Sequence, residues 1–314
     1  MSDTPTPTST LTDTQSYPDV PNAGLELGDL ASSFAHATLG PFEVHDVIGR
    51  GGMGIVFSGE HLGQQVPVAI KVITRKGAEK PRLREAMHNE VRAVAGLEHP
   101  GIVRVLDFGD ISDNAEVLTE GALRAGTPYF VMEMMAHASF LELVGRVTWR
   151  QAKTLLLNLL DALAHSHARD VIHRDIKPGN ILLDDWGGRV IPKVADFGLA
   201  FATRQPTDVS RSIGTPQYMA PEQIETPWRK HGPWSDLYSV GCVAFELLSG
   251  RKLFGGKSII EIFRLHLDGV RKPLRSIIKV PQGFEAWFHR MIERNVQKRF
   301  RSAADAARAL AALD

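Results

Sequence analysis

The chain has 314 residues, 43% hydrophobic and 23% charged, a balance that excludes a collagen-like, coiled-coil or wholly disordered protein. Thirty-six Lys and Arg offset 36 Asp and Glu, so the basic excess of a typical nucleic-acid binder is missing. The single cysteine, Cys242, cannot close an internal disulfide, and no apolar run reaches the roughly 18 to 20 residues that span a bilayer. With no Lys or Arg before Arg50 to start a secretory signal, these features point to a cytoplasmic protein without a membrane segment.

Residues 1–21 hold six Thr, three Ser and four Pro and scarcely any large apolar side chain. Such a segment buries too little surface to offset its ordering entropy, so residues 1–39 are expected to be a disordered leader. The leader carries Asp3, Asp13, Asp19, Glu26 and Asp29. From Pro41 the pattern turns to strands: Phe42 to Ile48 alternates, a Gly-rich turn follows, and Ile55 to Ser58 and Val66 to Ile73 are β-branched runs. Arg84 to Leu97 reads as a helix with Ala86, Val91, Val94 and Leu97 on one stripe. Ile102 to Phe108 and Tyr129 to Glu133 complete a small sheet, with the polar stretch Ile111 to Thr127 expected as a surface insertion.

Beyond Met135 the pattern is mainly helical. Trp149 to Ala168, Ser235 to Ser249, Phe284 to Asn295 and Ala303 to Leu310 are the predicted helices. A β-rich half followed by an α-rich half predicts an α+β protein of two lobes, residues 40–135 and 136–314, with a cleft between them.

Several motifs in these halves carry chemistry. Gly49-Arg-Gly-Gly-Met-Gly-Ile-Val56 fits G-x-G-x-x-G-x-V between two strands, where glycines let the backbone approach a phosphate. Strand-loop-strand context argues against a dinucleotide fold. Val68-Ala-Ile-Lys71 sets a lysine in an apolar strand, and an inward lysine needs a partner, for which Glu90 or Glu85 on the following helix is available. His173-Arg-Asp-Ile-Lys-Pro-Gly-Asn180, Asp196-Phe-Gly198 and Gly214-Thr-Pro-Gln-Tyr-Met-Ala-Pro-Glu222 follow in order.

In that order and spacing these motifs resemble the protein kinases, and most closely the bacterial branch of the Hanks-type Ser/Thr protein kinases, over about residues 41–312. The resemblance implies the bilobal protein-kinase fold and transfer of the γ-phosphoryl group of ATP, with Mg²⁺, to Ser/Thr hydroxyls of protein substrates. It implies that Asp175 orients the hydroxyl and accepts its proton, that Lys177 neutralises charge at the γ-phosphate, and that Lys71 holds the α- and β-phosphates. Glu90, ten residues before Pro100 as in the family, is expected to orient Lys71. Asn180 and Asp196 are the implied metal ligands.

The same comparison places Gly49, Gly51, Gly52 and Gly54 around the phosphates. It puts Val56, Ala69 and Leu183 against the adenine, Met132 as gatekeeper, and Glu133 and Met135 at the hinge. Thr215 with Lys177 is the signature of Ser/Thr specificity. Asp236 is the brace of the catalytic loop, and Glu222 with Arg299 a buried ion pair of the C-lobe. Arg174 is expected to dock a phosphorylated activation-loop residue, Thr207 or Ser210, placed there by autophosphorylation within a transient homodimer.

A pseudokinase scaffold is the alternative of another class, but such chains usually lose the strand lysine or a catalytic aspartate, and Lys71, Asp175 and Asp196 all stand. A small-molecule phosphotransferase is disfavoured by the Ala-Pro-Glu segment. Three further features read as structural: His165 and His167 as a solvated helix end, the positive run Arg290 to Arg301 as a solvated face, and Cys242 as a packed core residue.

Overall fold

The computed structural model describes residues 37–51, 54–74, 80–119, 121, 123–135, 139–186, 189–197, 216–269 and 273–314. The N-terminal half is a six-stranded antiparallel sheet in the order β1-β2-β3-β4-β6-β5. Its strands are β1 (Thr38–Leu39), β2 (Phe42–Gly51), β3 (Gly54–His61), β4 (Val66–Val72), β5 (Val105–Asp110) and β6 (Pro128–Glu133). One helix, α1 (Pro81–Ala95), packs on it.

Alternation along β4 and β6 sends side chains to two separate cores. Val68, Ile70, Val72, Tyr129 and Val131 join Val44 and Phe57 on one face. Ala69, Ile73, Phe130 and Met132 meet Met87 and Val91 of α1 on the other. Lys71 lies between Ile70 and Val72 and so shares the α1 face with Ala69. This period of two is what brings a charged side chain, only 6% exposed, to the cleft.

Residues 111–127 depart from the expected polar surface insertion. Ser112 caps a short helix, α2 (Asp113–Leu118), through its Oγ and the Ala115 N–H at 3.2 Å. Ile111, Ala115 and Leu123 are buried and belong to the core that holds Val44 and Phe57. Three apolar residues at irregular spacing give no periodic signal, yet they suffice to bolt the segment down.

The C-terminal half is built around α3 (Trp149–His167) and α5 (Pro233–Ser249). A capping box starts α3: the Thr148 side chain accepts the Gln151 N–H, and the Gln151 side chain returns to the Thr148 N–H. Every residue from Ser235 to Ser249 is buried, and Cys242 is 1% exposed, as its apolar setting predicts. Gly241 is required here, because a Cβ would stand 2.6 Å from the Ile292 side chain.

Shorter helices complete the lobe: α4 (Pro221–Glu225), α6 (Ile259–Asp268), α7 (Phe284–Met291) and α8 (Ala303–Ala311). The predicted helix to Asn295 stops at Met291, where the chain bends to carry Arg299 inward. A two-stranded hairpin, β7 (Ile181–Trp186) and β8 (Arg189–Val194), lies at the boundary of the halves. Val103 donates its N–H to the Val194 carbonyl at 2.9 Å, joining the lobes by backbone.

Candidate active site

The loop between α3 and β7 carries His173, Asp175, Lys177 and Asn180, and it is braced from below by Asp236 at the start of α5. The Asp236 carboxylate is fully buried. Its Oδ2 accepts the His173 N–H at 2.8 Å and His167 Nε2–H at 2.8 Å, and its Oδ1 accepts the Arg174 N–H at 2.7 Å. Burial alone would raise this carboxyl, but the hydrogen bonds from His167 and from the Arg174 N–H outweigh it and hold it below the carboxylate norm. Arg174 sits at φ +66°, a conformation disfavoured for a side chain of this size, and the Asp236 contacts hold it there. His167 is therefore not a solvated helix end; its side chain is 7% exposed and forms part of this hub.

His173 is fully buried, and burial keeps its imidazole neutral by pushing it below its ordinary value. Its tautomer is fixed by two partners. Nδ1 accepts the Asp175 N–H at 3.2 Å, and Nε2–H donates to the Ala195 carbonyl at 2.8 Å, with the Phe197 ring 4.6 Å away. One neutral ring thus ties the Asp175 backbone to the strand that presents Asp196.

Above it, Asp175 Oδ2 accepts from Lys177 Nζ at 2.8 Å and from Asn180 Nδ2 at 3.0 Å. The same Asn180 amide donates to the Asp175 carbonyl at 2.9 Å. One cation, Lys177, and one neutral amide, Asn180, converge on Oδ2, so Oδ1 is the oxygen left to face an incoming hydroxyl. Asn180 spends its N–H group on Asp175 and keeps its own Oδ1 as an oxygen donor.

Across the cleft, Lys71 Nζ stands 2.6 Å from Asp196 Oδ1. Burial alone would raise the Asp196 carboxyl, but Lys71, with Lys177 nearby, pulls it below its usual range. Its side chain nevertheless keeps a third of its surface open to the cleft. Glu90 on α1 pairs instead with Arg174 Nη1 at 3.5 Å, and burial raises its carboxyl, partly countered by that arginine. A small cavity of about 20 Å³ lies between Val91 and Val94 of α1, Met132 on the sheet, and Phe197.

A protein kinase domain model matches residues 42–310. The chain belongs to the protein kinase family. It is 31% identical over 289 residues to the serine/threonine-protein kinase PknH of Mycobacterium tuberculosis, covering 90% of this chain and 43% of that protein. It is 33% identical over 281 residues to the serine/threonine-protein kinase PknA of the same species, covering 87% of this chain and 61% of that one. To the probable serine/threonine-protein kinase PknB of Bifidobacterium longum it is 32% identical over 276 residues, 85% of this chain and 38% of the relative. The chain thus spans between about two-fifths and three-fifths of the length of these curated relatives.

The kinase fold brings together Lys71, Asp175, Lys177, Asn180 and Asp196, as their motifs imply. Two expectations are corrected. The expected Lys71–Glu90 pair is absent: each has taken a partner from the opposite lobe, because Asp196 lies nearer the lysine and Arg174 nearer the glutamate. Leu183 is not at the nucleotide face. Along β7 the side chains alternate, so Leu183, 6% exposed, enters the C-lobe core while Leu182 packs toward Ala69, Met132 and Met135. Period-two reasoning on Ile181 to Leu183 was the signal available for placing Leu182.

Val56 pairs with Lys71 across β3 and β4, and Ala69 with Met132 across β4 and β6, which gathers Val56, Ala69 and Met132 on one face. Gly49 and Gly51 flank the glycine turn, where a Cβ on Gly51 would meet nothing within 4 Å. Gly54 has a different constraint: a Cβ there would stand 2.1 Å from the Val72 carbonyl, so close strand packing requires glycine. Gly52, Thr215, Thr207 and Ser210 lie outside the described residues.

Glu133 shows a contact that motif reading missed. Its carboxylate accepts from Lys193 Nζ at 2.9 and 3.0 Å and from the Arg104 N–H at 2.8 Å, and Lys193 also reaches Asp184 at 3.1 Å. Lys193 sits three residues before Asp196, so a buried cation ties the hinge strand to the hairpin that presents the Asp-Phe-Gly segment. The Glu222–Arg299 pair is bidentate at 2.7 and 2.9 Å, with Ser235 donating to the same carboxylate at 2.8 Å.

Proposed function

We propose that this chain transfers the γ-phosphoryl group of ATP to Ser or Thr hydroxyls of proteins in a signalling role. The observation that carries the reading is the convergence of Lys177 and Asn180 on one oxygen of Asp175, opposite Lys71 and Asp196. Phosphoryl transfer asks the protein mainly for positioning and charge neutralisation, and these groups supply both. In the proposal Asp175 Oδ1 accepts the hydrogen bond and then the proton of the substrate hydroxyl, and Lys177 counters negative charge beside it. Lys71 turns from Asp196 to the α- and β-phosphates, which frees the Asp196 carboxylate.

Mg²⁺ is the ion these donors suit. Asn180 Oδ1 and an Asp196 carboxylate oxygen are hard ligands, and Mg²⁺ is commonly held by one or two protein oxygens with phosphate and water completing its shell. Among the described residues no cluster of three His, Cys, Asp or Glu forms a metal cage, which is compatible with that sparse set. When bound, the ion neutralises phosphate charge. Val56, Ala69 and Leu182 would enclose the adenine, with the Glu133 carbonyl and Met135 at its edge; the Glu133 N–H is already given to the Arg104 carbonyl.

Ser/Thr preference rests on Lys177 and Thr215 and on the similarity to serine/threonine-protein kinases. Autophosphorylation at Thr207 or Ser210, with Arg174 as docking site and a transient homodimer as the reacting pair, belongs to the same proposal. So does a cytoplasmic location, supported by the single cysteine and by the described residues, in which no helix is long and apolar enough to cross a membrane. The test is incubation with γ-labelled ATP and Mg²⁺, with Asp175→Asn as control, followed by phosphoamino-acid analysis and peptide mapping. Label on Ser or Thr in the parent alone is the expected result. Label on Tyr, or equal label in the variant, would overturn the assignment.

A further inference from the structure

We propose that the groove between α7 and α8 binds a phosphorylated Ser or Thr side chain, and that the phosphorylated N-terminal segment of this chain is its occupant. The groove has a volume of about 330 Å³ and is lined by Arg290, Phe300, Arg301, Asp305 and Arg308. Three guanidinium groups face one carboxylate, a local surplus of two positive charges on a chain whose net charge is zero. The sequence alone reads Arg290 to Arg301 as a solvated face. The fold instead turns Arg299 inward to Glu222 and gathers Arg290 and Arg301 with Arg308 around one concavity.

Among the described residues neither Arg290 nor Arg301 has a carboxylate within ion-pair distance, and the Arg308–Asp305 contact is long, 3.9 Å, on a side chain 80% exposed. Asp305 is held by the helix start, where its N–H donates to Ser302 Oγ at 3.1 Å. Arg290 is fixed by stacking, its guanidinium 4.3 Å from the centroid of the Phe300 ring, so less rotamer entropy is lost when it binds. A phosphomonoester is the matching ligand: it is a dianion near neutral pH, its oxygens accept the paired N–H groups of guanidinium, and it fits a groove of this size. An extended polyanion needs a longer basic track than one groove offers.

Residues 1–21 supply the complement. They hold nine hydroxyl side chains of Ser and Thr with Asp3, Asp13 and Asp19, and the chain has no Lys or Arg before Arg50. Thirty-six residues precede Ala37, a contour of about 120 Å at full extension, against a domain diameter of roughly 50 Å, so reach does not limit docking. The inference rests on the kinase reading only for the origin of the phosphate.

The test separates the two. Synthetic peptides of residues 2–16, unmodified or carrying phosphothreonine at Thr8 or at Thr12, are titrated into phosphatase-treated full chain and followed by fluorescence anisotropy. The parent is compared with Arg301→Ala/Arg308→Ala, both surface positions, and with Arg290→Lys, which keeps the charge but loses the planar fork. The expected result is that a phosphopeptide binds at least tenfold more tightly than the unmodified peptide, and that the double variant loses that gain. Arg290→Lys should lose part of it. Equal affinity of phosphorylated and plain peptides, or equal binding by parent and double variant, would overturn the proposal whatever the kinase assay shows.

Discussion

On the C-lobe side of the cleft, Asp236 holds the catalytic loop by two backbone hydrogen bonds and ties it to His167 of α3 by a third, and Asp175, Lys177 and Asn180 are already joined by hydrogen bonds. On the N-lobe side, Lys71 and Glu90 each reach across the cleft, to Asp196 and Arg174. One half of the site is assembled by buried contacts within its own lobe. The other is held by ion pairs between lobes, at the positions where nucleotide and metal bind in the proposed reaction. Fixed geometry therefore resides in the C-lobe, and the adjustable pairings in the N-lobe.

The largest expected effect attacks the fixed half chemically. Asp175→Asn retains an oxygen to accept from Lys177 and Asn180, so its melting temperature should match the parent, while phosphoryl transfer falls by about 10²–10⁴-fold. Retained transfer would break the assignment of Asp175 as the base. Asp236→Ala attacks the same half structurally. Removing it leaves the His173 and Arg174 N–H groups and His167 without their acceptor in the interior, and an unfolding midpoint in denaturant should report a loss of roughly 3–5 kcal/mol. A loss below about 1 kcal/mol would show that the loop is not held as described.

A third prediction concerns pH and lies in the C-lobe core. His266 is buried against Tyr238 and Phe254, accepts the Tyr238 O–H at 2.8 Å, and is lowered by burial to about 4. Its folded value lies below the ordinary 6.5, so the unfolded chain takes up the proton first as pH falls. Its contribution is full above 6.5 and is lost progressively toward 4, by about 3 kcal/mol over that window. His266→Gln should flatten this part of the stability profile; an unchanged slope would contradict the neutral buried imidazole.

Smaller effects separate the adjustable contacts. Lys193→Met should raise the KM for ATP several-fold with little change in kcat, because it unties Glu133 from β8 while leaving the catalytic loop intact. A fall in kcat alone would place Lys193 in a different role. Glu90→Gln should change the stability of the nucleotide-free chain by less than about 1 kcal/mol, since its 3.5 Å contact to Arg174 is long. A loss of several kcal/mol would mean that this pair is a structural fixture.

Much of this was legible in the residues. The alternation of β4 is enough to set Lys71 and Ala69 on one face, and the motif from His173 to Asn180 marks the loop that Asp236 braces. Three things were not legible, each for a physical reason. The partners of Lys71 and Glu90 depend on how the lobes meet, which no local pattern encodes. Lys193 carries no motif, and its role appears only when β8 lies beside the hinge. The segment 111–127 is anchored by Ile111, Ala115 and Leu123, too few and too irregular to mark a helix by periodicity. Leu183 differs in kind, because the alternation that sends it inward was present in the sequence and a one-residue shift was enough to miss it.

The most direct measurement is a pair of double-mutant cycles on the nucleotide-free chain, Lys71→Met with Asp196→Asn and Lys71→Met with Glu90→Gln, read by denaturant unfolding. The pairing across the cleft predicts a coupling of about 1–2 kcal/mol for Lys71 with Asp196 and near zero for Lys71 with Glu90. Coupling to Glu90 with none to Asp196 would contradict it and place the lysine's resting partner on α1.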